Sequence, residues 1–297
     1  MIRAEHITKS FDGRVVLDDI SIEFLTGKTN LIIGRSGSGK TVLLKTLVGL
    51  HEPDSGDVWY DDTNFTRLDF RERRAIRKDI GMIFQGGALL DSSTVEENVK
   101  LPLDLFTSQS EKEKMERVDF CLQRVRLEDA NHLYPAELSG GMIKRVAIAR
   151  AIVLEPDLII ADEPISALDV SIQAQVINLL NDLRNKMGLT IMFIAHNLSV
   201  VKYFSDRIGV MYYGKLVELA DSDELFEHPL HPYTKSLLSA IPYPDPHHEK
   251  HRQRIEYKPL KEHDYSVNKP SLREIKPGHF INCNDEEFER YKKELGL

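Results

Sequence analysis

The feature that most constrains the fold of this sequence is a glycine-rich loop of eight residues, which matches the pattern G-x-x-x-x-G-K-[ST]. Its members are Gly34, Arg35, Ser36, Gly37, Ser38, Gly39, Lys40 and Thr41. An apolar run, LII, precedes the loop, and a segment with helical periodicity, VLLKTLVGL, follows it. The order therefore predicts a strand, a loop and a helix in succession.

Such a loop is suited to binding the phosphates of a nucleoside triphosphate. Glycine allows the backbone to turn its N–H groups inward around phosphate oxygens, and the amino end of the following helix adds partial positive charge. We expect Lys40 to reach the β and γ phosphates and the Thr41 hydroxyl to bind Mg²⁺. The alternative, a turn that only joins strand to helix, does not explain the Lys40-Thr41 pair.

Length, charge and cysteine content restrict the class of protein. A chain of 297 residues can form one large α/β domain or two smaller ones. A net charge of -8 gives no reason to expect a nucleic-acid partner. The apolar runs are much shorter than the roughly 20 residues that span a bilayer, so we expect a cytoplasmic protein that reaches a membrane through a partner. Cys121 and Cys283 are far apart in sequence and are interpreted as two plain thiols rather than a disulfide.

Strand and helix patterns alternate along most of the chain. The segments IRAEHITKSF and VVLDDISIEF flank Asp12-Gly13, which predicts an antiparallel hairpin at the N-terminus. From Thr29 onward, apolar strands recur at IGMIF, LIIAD and LTIMFIA, with helical stretches such as SIQAQVINLLNDLRNKM between them. This alternation predicts an α/β fold with a mostly parallel, buried sheet covered by helices. A polar block containing EKEKMERVDFCLQRVRL predicts a helical subdomain inserted at residues 86–137.

The composition changes after Phe226 to a segment rich in proline, histidine and charge. We interpret residues 1–227 as the main domain and residues 228–297 as a C-terminal extension that ends in a helix, NDEEFERYKKEL. The extension holds seven of the 11 histidines, His228, His231, His247, His248, His251, His263 and His279. No pair of them has zinc-motif spacing, so a solvated linker surface is favoured over a metal site. Because the phosphate-binding motifs all precede it, truncation near Glu227 is expected to leave the phosphate site intact.

Two acids and a second glycine motif complete the candidate site. The apolar strand LIIAD ends at Asp162, which is expected near Mg²⁺, and is followed by Glu163, which is expected to orient an attacking water as the hydrolytic base. A solvated turn is the alternative for this acid pair. Downstream, LSGG opens a helix, with Ser139, Gly140 and Gly141 at an amino end suited to anions. The alternative for LSGG is a glycine-containing turn that only joins two segments.

Six motifs follow one another in an order typical of one family. They are the phosphate loop, Gln85 at the end of a strand, LSGG, LIIADEP, SALD at residues 166–169, and His196 after LTIMFIA. Together they resemble the ATP-binding-cassette (ABC) ATPases of transporters over about Ile2 to Phe226. The resemblance implies a P-loop NTPase fold of the ABC type with ATP and Mg²⁺ as ligands. It also implies a dimer in which the LSGG motif of each chain contacts the γ-phosphate held by the other, so that isolated monomers hydrolyse ATP poorly.

The same resemblance implies roles for four further residues. Gln85 would link the γ-phosphate and Mg²⁺ to a membrane subunit, Asp169 would cross the dimer interface, His196 would sense the γ-phosphate, and Phe11 would stack on adenine. A buried core position is the alternative for Phe11, and a structural role is the alternative for His196. The implied partners are transmembrane permease subunits, a second identical or different ATPase subunit and, indirectly, a solute-binding protein, at the inner face of the cell membrane.

The two halves of the chain resemble different transporter groups. The N-terminal half, with Met142 where most of the family has Gln, resembles the ATPases of Mla-type lipid transporters. The C-terminal half, with HPYT at residues 231–234, resembles oligopeptide and dipeptide importer ATPases. We favour peptide import because the extension has no counterpart in the lipid group; phospholipid trafficking, a recombined or designed chain, and a soluble ABC ATPase are the alternatives. With Cys283 as its single cysteine, the extension is predicted to hold no iron–sulfur cluster.

Overall fold

A computed structural model describes residues 2–166, 168–195, 202, 204–241 and 254–297. The chain forms two compact units. The first unit comprises Met1–Phe24, Asn30–Thr63 and Ala195–Leu297, and the second comprises Leu25–Thr29 and Asn64–Ile194. His196 lies outside the described residues.

The described residues contain twelve strands. They are β1 (Ile2–Phe11), β2 (Arg14–Phe24), β3 (Thr29–Ile33), β4 (Ser55–Tyr60), β5 (Thr63–Asn64), β6 (Ile80–Ile83), β7 (Leu158–Asp162), β8 (Thr190–Ala195), β9 (Arg207–Tyr212), β10 (Lys215–Asp221), β11 (Ser271–Lys276) and β12 (His279–Cys283).

The same part of the chain contains ten α-helices. They are α1 (Lys40–Leu47), α2 (Phe70–Arg77), α3 (Val95–Phe106), α4 (Glu111–Arg124), α5 (Gly140–Ile152), α6 (Val170–Met187), α7 (Ser222–Glu227), α8 (Pro232–Ser239), α9 (Pro259–Glu262) and α10 (Asp285–Leu295). Short 3₁₀ turns occur at Phe65–Arg67 and Pro135–Glu137.

In the first unit, β1 lies between β2 and β4, and both pairings are antiparallel. The predicted hairpin at Asp12-Gly13 is therefore confirmed. A second group of strands begins with β3, which pairs in parallel with β9. Strands β9, β10, β12 and β11 continue from it through antiparallel pairs. Helix α1 follows β3 after the glycine-rich loop, as the sequence predicts.

In the second unit, β6, β7 and β8 form consecutive parallel pairs. Strands β7 and β8 are almost wholly buried, as expected for the centre of an α/β sheet. Helix α5 packs against β6 and against α3 and α4. The α/β fold with parallel strands and an antiparallel N-terminal entry is therefore confirmed. Helices α3 and α4 lie within the predicted insertion at residues 86–137, whose boundaries stay a prediction.

The described part of the extension is a packed module, so the interpretation as a solvated linker surface is wrong for His231, His263 and His279, whereas the side chain of His228 is exposed. His247, His248 and His251 lie outside the described residues. The hairpin β11–β12 and helix α10 enclose a small core of Leu230, Ile275, Ile281, Cys283 and Tyr291. His231 and His279 are buried, and so is the side chain of His263. The error arose because local composition does not show which polar side chains find partners elsewhere in the chain.

A buried carboxylate joins the extension to β10. Glu218 is fully buried and accepts hydrogen bonds from the backbone N–H groups of Leu230 at 2.8 Å and His231 at 3.1 Å. Its Oε1 also lies 2.9 Å from Nε2 of His279. Nδ1 of His279 in turn lies 3.0 Å from Glu224. A buried carboxylate with this many partners fixes the chain at the start of the extension.

We expect Glu218→Gln to lower the free energy of unfolding by about 2 kcal/mol, because an amide offers one acceptor oxygen and leaves a buried N–H without a partner. Urea unfolding measures this change. The control is Glu294→Gln, which removes the exposed ion pair between Glu294 and Lys235 and is expected to cost under about 1 kcal/mol. Equal losses in the two variants would contradict the anchoring role of Glu218.

Candidate functional site

The phosphate loop requires glycine at both of its ends. Gly34 has φ +155°, and a Cβ atom there would lie 2.2 Å from the carbonyl oxygen of Met211. Gly39, which precedes the first residue of α1, has φ +99°, and its Cβ would lie 2.8 Å from the carbonyl oxygen of Val16. Backbone approaches of this kind exclude any side chain. The loop is thus held tightly between the β2 and β9 segments of its own unit.

Lys40 lies over the loop rather than in solvent. It is 5% exposed, and its Nζ donates hydrogen bonds to the carbonyl oxygens of Gly34 at 2.9 Å and Arg35 at 3.0 Å. Ser38 Oγ is buried and makes no hydrogen bond with the described residues. A buried hydroxyl without a partner needs an explanation, and an anionic oxygen bound in the loop would supply one. These donors fit a phosphate group.

Phe11 lies at the end of β1, in the same unit as the loop. Its side chain is 39% exposed, and its ring meets the ring of His51 edge to face at 5.2 Å. This exposure argues against the core alternative for Phe11. Stacking on adenine stays a prediction.

Glu163 has an unusual backbone conformation in the second unit. It directly follows β7 and has φ +45°, a left-handed value that costs a residue with a side chain about 1 kcal/mol or more. Its N–H donates to the carbonyl of Ile194 at 3.1 Å, and its carbonyl accepts from the N–H of Ser166 at 3.1 Å and its hydroxyl at 2.8 Å. The surrounding chain therefore holds Glu163 in a strained position, which is common at functional sites.

Gln85 and Glu163 are brought together by the parallel pairing of β6 and β7. Each residue lies just beyond the carboxyl end of its strand, and Gln85 Nε2 donates to Glu163 Oε2 at 3.2 Å. Asp162 is the last residue of β7 and lies next to them in sequence. The amide of Gln85 and the carboxylates of Asp162 and Glu163 therefore form a polar edge on an otherwise apolar pair of strands.

Helix α5 holds the segment that follows Gln85. Lys144 donates to the carbonyl of Gln85, and Arg150 donates to the carbonyls of Gly87 and Ala88, both at 2.7 Å. Lys144 and Arg150 are partly withdrawn from water where they bind these carbonyls, and this burial lowers their pKa values. The segment after Gln85 is therefore tied to the helix that the LSGG motif opens.

The LSGG motif forms the amino end of α5. Ser139 is the N-cap residue, and its hydroxyl accepts from the N–H of Met142 at 3.3 Å. A Cβ on Gly141 would come within 3.0 Å of Ile172, so this turn has little room for a side chain. Asp169 precedes α6, and its side chain makes no capping hydrogen bond there. The roles implied for Ser139, Gly140, Gly141 and Asp169 stay predictions.

Sequence reasoning missed three side chains that position these motifs. Lys144 and Arg150 lie within an apparently ordinary helix, MIKRVAIARAI, and Tyr233 lies in the extension. Tyr233 contacts the phosphate loop through a hydrogen bond from the N–H of Arg35 at 3.0 Å. The one sequence signal for Tyr233 is its place in the HPYT segment, which indicates a resemblance to peptide-importer ATPases but no contact with the nucleotide site.

Both cysteines are buried thiols. Burial raises the pKa of Cys121 to about 11 and that of Cys283 to about 12, so neither is a reactive thiolate at neutral pH.

Among the described residues, none of the helices combines the length and apolar character needed to cross a membrane.

Two protein families and several relatives match most of this chain. The profile of the ABC transporter family matches residues 17–166, and that of the oligopeptide/dipeptide transporter C-terminal region matches residues 217–268. The oligopeptide transport ATP-binding protein OppF of Bacillus subtilis (strain 168) is 47% identical over 98% of this chain and 98% of its own length. The dipeptide transport ATP-binding protein DppF of Lactococcus lactis subsp. cremoris is 43% identical over 95% of this chain and 91% of its own.

Solved structures share the fold. One is the dimeric, post-hydrolysis state of an ATP-binding cassette bound to ADP and Pi, with a TM-score of 0.68 and 33% identity over 75% of this chain and 99% of that one. Another is cbiO1 from Clostridium perfringens, part of an ABC transporter complex, with a TM-score of 0.71 and 28% identity over 76% and 90% of the two chains. Since the peptide-transport relatives match both halves of this chain, the resemblance of the N-terminal half to lipid transporters receives no support.

Proposed function

Because the chain belongs to the ATP-binding proteins of ABC transporters, we propose that it hydrolyses ATP to energise the import of oligopeptides or dipeptides. The observation that carries this proposal is the hydrogen-bonded pair of Gln85 and Glu163 at the ends of β6 and β7. A carboxylate held in a strained backbone position beside an amide is suited to orienting a water molecule for attack on a phosphate. The peptide substrate is proposed from the relatives' names and from the match of the extension.

The residues of the phosphate loop would bind the nucleotide. The loop N–H groups and the amino end of α1 would hold its phosphates, Lys40 would neutralise their charge, and Phe11 would stack on adenine. Mg²⁺ prefers oxygen ligands, and the resemblance implies that the Thr41 hydroxyl, the Asp162 carboxylate and the Gln85 amide oxygen would supply them. When bound, the metal would offset the charge that develops on the phosphate oxygens.

Glu163 would act as the general base. Its carboxylate would accept a proton from the attacking water, and Gln85, which donates to that carboxylate here, would respond to the γ-phosphate. Ser139, Gly140, Gly141 and Asp169 would act across a dimer interface on nucleotide held by a second subunit. His196 would sense the γ-phosphate. The site would therefore be complete only in a dimer.

Membrane permease subunits are the proposed partners, and they would place the chain at the inner face of the cell membrane. The segment after Gln85 is proposed as the contact for the permease, as the resemblance to ABC ATPases implies. Lys144 and Arg150 fix this segment to α5. Co-purification tests this partnership. An affinity-tagged chain expressed in its native host is expected to bring down permease subunits of a peptide importer, and recovery of a lipid-transport permease instead would contradict the proposed substrate.

We expect Ser139→Arg to lower ATP hydrolysis by about 100-fold while leaving ATP binding unchanged, because a bulky cation would replace the small N-cap at a surface proposed to face a partner's phosphate. The matched control is Ser110→Arg, which replaces the N-cap of α4. Each replacement is expected to cost about 1 kcal/mol of stability through loss of the cap.

The measurement is hydrolysis per chain over a dilution series, for the parent and both variants. The parent and Ser110→Arg should lose specific activity on dilution as dimers dissociate. A parent rate per chain that does not change with dilution would contradict the dimeric site, as would full activity of Ser139→Arg.

A further inference from the structure

A tyrosine of the extension is hydrogen-bonded to the backbone of the phosphate loop. Tyr233, in helix α8, is 3% exposed, and its hydroxyl oxygen accepts from the N–H of Arg35 at 3.0 Å. Burial raises the pKa of Tyr233, against a smaller opposing effect of the hydrogen bond from Arg35, so the side chain is a neutral phenol at physiological pH. The two residues are 198 positions apart in the sequence.

The backbone of Arg35 is fixed on both sides of its Cα atom. Its N–H donates to Tyr233, and its carbonyl oxygen accepts from Nζ of Lys40 at 3.0 Å and from the N–H of Ser38 at 3.1 Å. A shift of the Arg35 backbone would therefore move the carbonyl that holds the Lys40 ammonium. Arg35 thus links Tyr233 to Lys40, whose ammonium group is proposed to bind the phosphates.

Tyr233 is itself held by the residues just before it. Nδ1 of His231 accepts from the N–H of Tyr233 at 3.1 Å and caps α8, and Pro232 occupies the first helical position. An imidazole nitrogen can accept only when it carries no proton, and burial, aided by His263, lowers the pKa of His231 to about 3. The backbone N–H of His231 is anchored on the buried Glu218.

Aromatic packing supports the same contact. The ring of Tyr233 lies 4.4 Å from that of Tyr212 and 5.6 Å from that of Tyr257, measured between centroids. Tyr212 and Tyr213 also line a small cavity of about 210 Å³ together with loop residues 35–38. Tyr212 therefore both lines the cavity beside the phosphate loop and packs against the ring of Tyr233.

We infer that Tyr233 is a positioning residue for the phosphate loop, acting through Arg35 on Lys40. This inference rests on the proposed binding of ATP at the loop and adds that the extension sets the loop's affinity for nucleotide. In the segment His231-Pro232-Tyr233, the histidine caps the helix, the proline starts it, and the tyrosine contacts the loop. The expectation that the phosphate site is independent of the extension is revised accordingly.

The test is Tyr233→Phe in the full chain, which keeps the ring and removes the hydroxyl. We expect it to weaken binding of Mg²⁺–ATP, measured by titration calorimetry, by about 3- to 10-fold, the range for loss of one net hydrogen bond. The matched control is Tyr265→Phe, which removes the hydroxyl that bonds Glu287 inside the extension at 3.1 Å. Its ATP affinity should equal that of the parent, although both variants lose some thermal stability.

Hydrogen exchange at the Arg35 amide distinguishes positioning of the loop from a general contribution of Tyr233 to stability, because only loss of the Tyr233 hydrogen bond would specifically raise the exchange rate of this amide. The amide should be protected in the nucleotide-free parent and in Tyr265→Phe, and it should exchange faster in Tyr233→Phe. Equal ATP affinity in the parent and Tyr233→Phe would overturn the inference and leave the proposed function standing. An unprotected Arg35 amide in the parent would overturn it even if Tyr233→Phe did not fold. Failure of the parent to bind ATP would instead refute the proposed function.

Discussion

Glu163→Gln is expected to lower steady-state ATP hydrolysis by about 10²- to 10⁴-fold while ATP binding is retained. The substitution removes the carboxylate proposed to take the proton of the attacking water, but it leaves the phosphate loop unchanged. Because ATP would bind without being consumed, ATP-dependent dimers should accumulate, and gel filtration with ATP would detect them.

The matched control is Glu155→Gln. Glu155 is also a glutamate with a left-handed backbone, φ +56°, and it precedes β7, whereas Glu163 follows it. Its carboxylate is 71% exposed and pairs with Arg117. Glu155→Gln should hydrolyse ATP at the parent rate. Turnover by Glu163→Gln within a few fold of the parent would exclude Glu163 as the base.

Lys40→Ala should weaken ATP binding by about 10- to 100-fold, the range for loss of charge-assisted hydrogen bonds to the phosphates. The conformation of the loop should also change, since Nζ of Lys40 donates hydrogen bonds to the carbonyl oxygens of Gly34 and Arg35. Lys45→Ala, in the last turn of the same helix, is the control and should bind ATP like the parent. Calorimetric titration with Mg²⁺–ATP measures both, and an unchanged affinity for Lys40→Ala would refute its role.

The parts of the structure that sequence could predict are those specified by local patterns. Asp12-Gly13 is a hairpin signal in itself, and the glycine-rich loop with Lys40 and Thr41 specifies strand, turn and helix within a short segment. The strand pairing of β6 and β7 then brings Gln85 next to Glu163. Such features depend on neighbours in sequence or on the general rules of parallel sheets.

The parts that sequence could not predict depend on distant partners. His279 is buried because Glu218 and Glu224, 61 and 55 positions earlier, lie beside its ring nitrogens. Nothing in the composition of the extension shows this pairing, and composition alone predicts a solvated histidine at this position. The bond from Arg35 to Tyr233 and the left-handed backbone of Glu163 were missed for the same reason, because both are imposed by tertiary packing.

The central claim, that ATP hydrolysis by this chain drives peptide import, is tested most directly by uptake of a labelled oligopeptide in the native host after deletion of the gene for this chain. The account predicts that deletion abolishes uptake and that the parent chain and Glu155→Gln restore it, whereas Glu163→Gln does not restore it despite reaching the membrane. Uptake that persists without the chain, or that Glu163→Gln restores, would contradict the account.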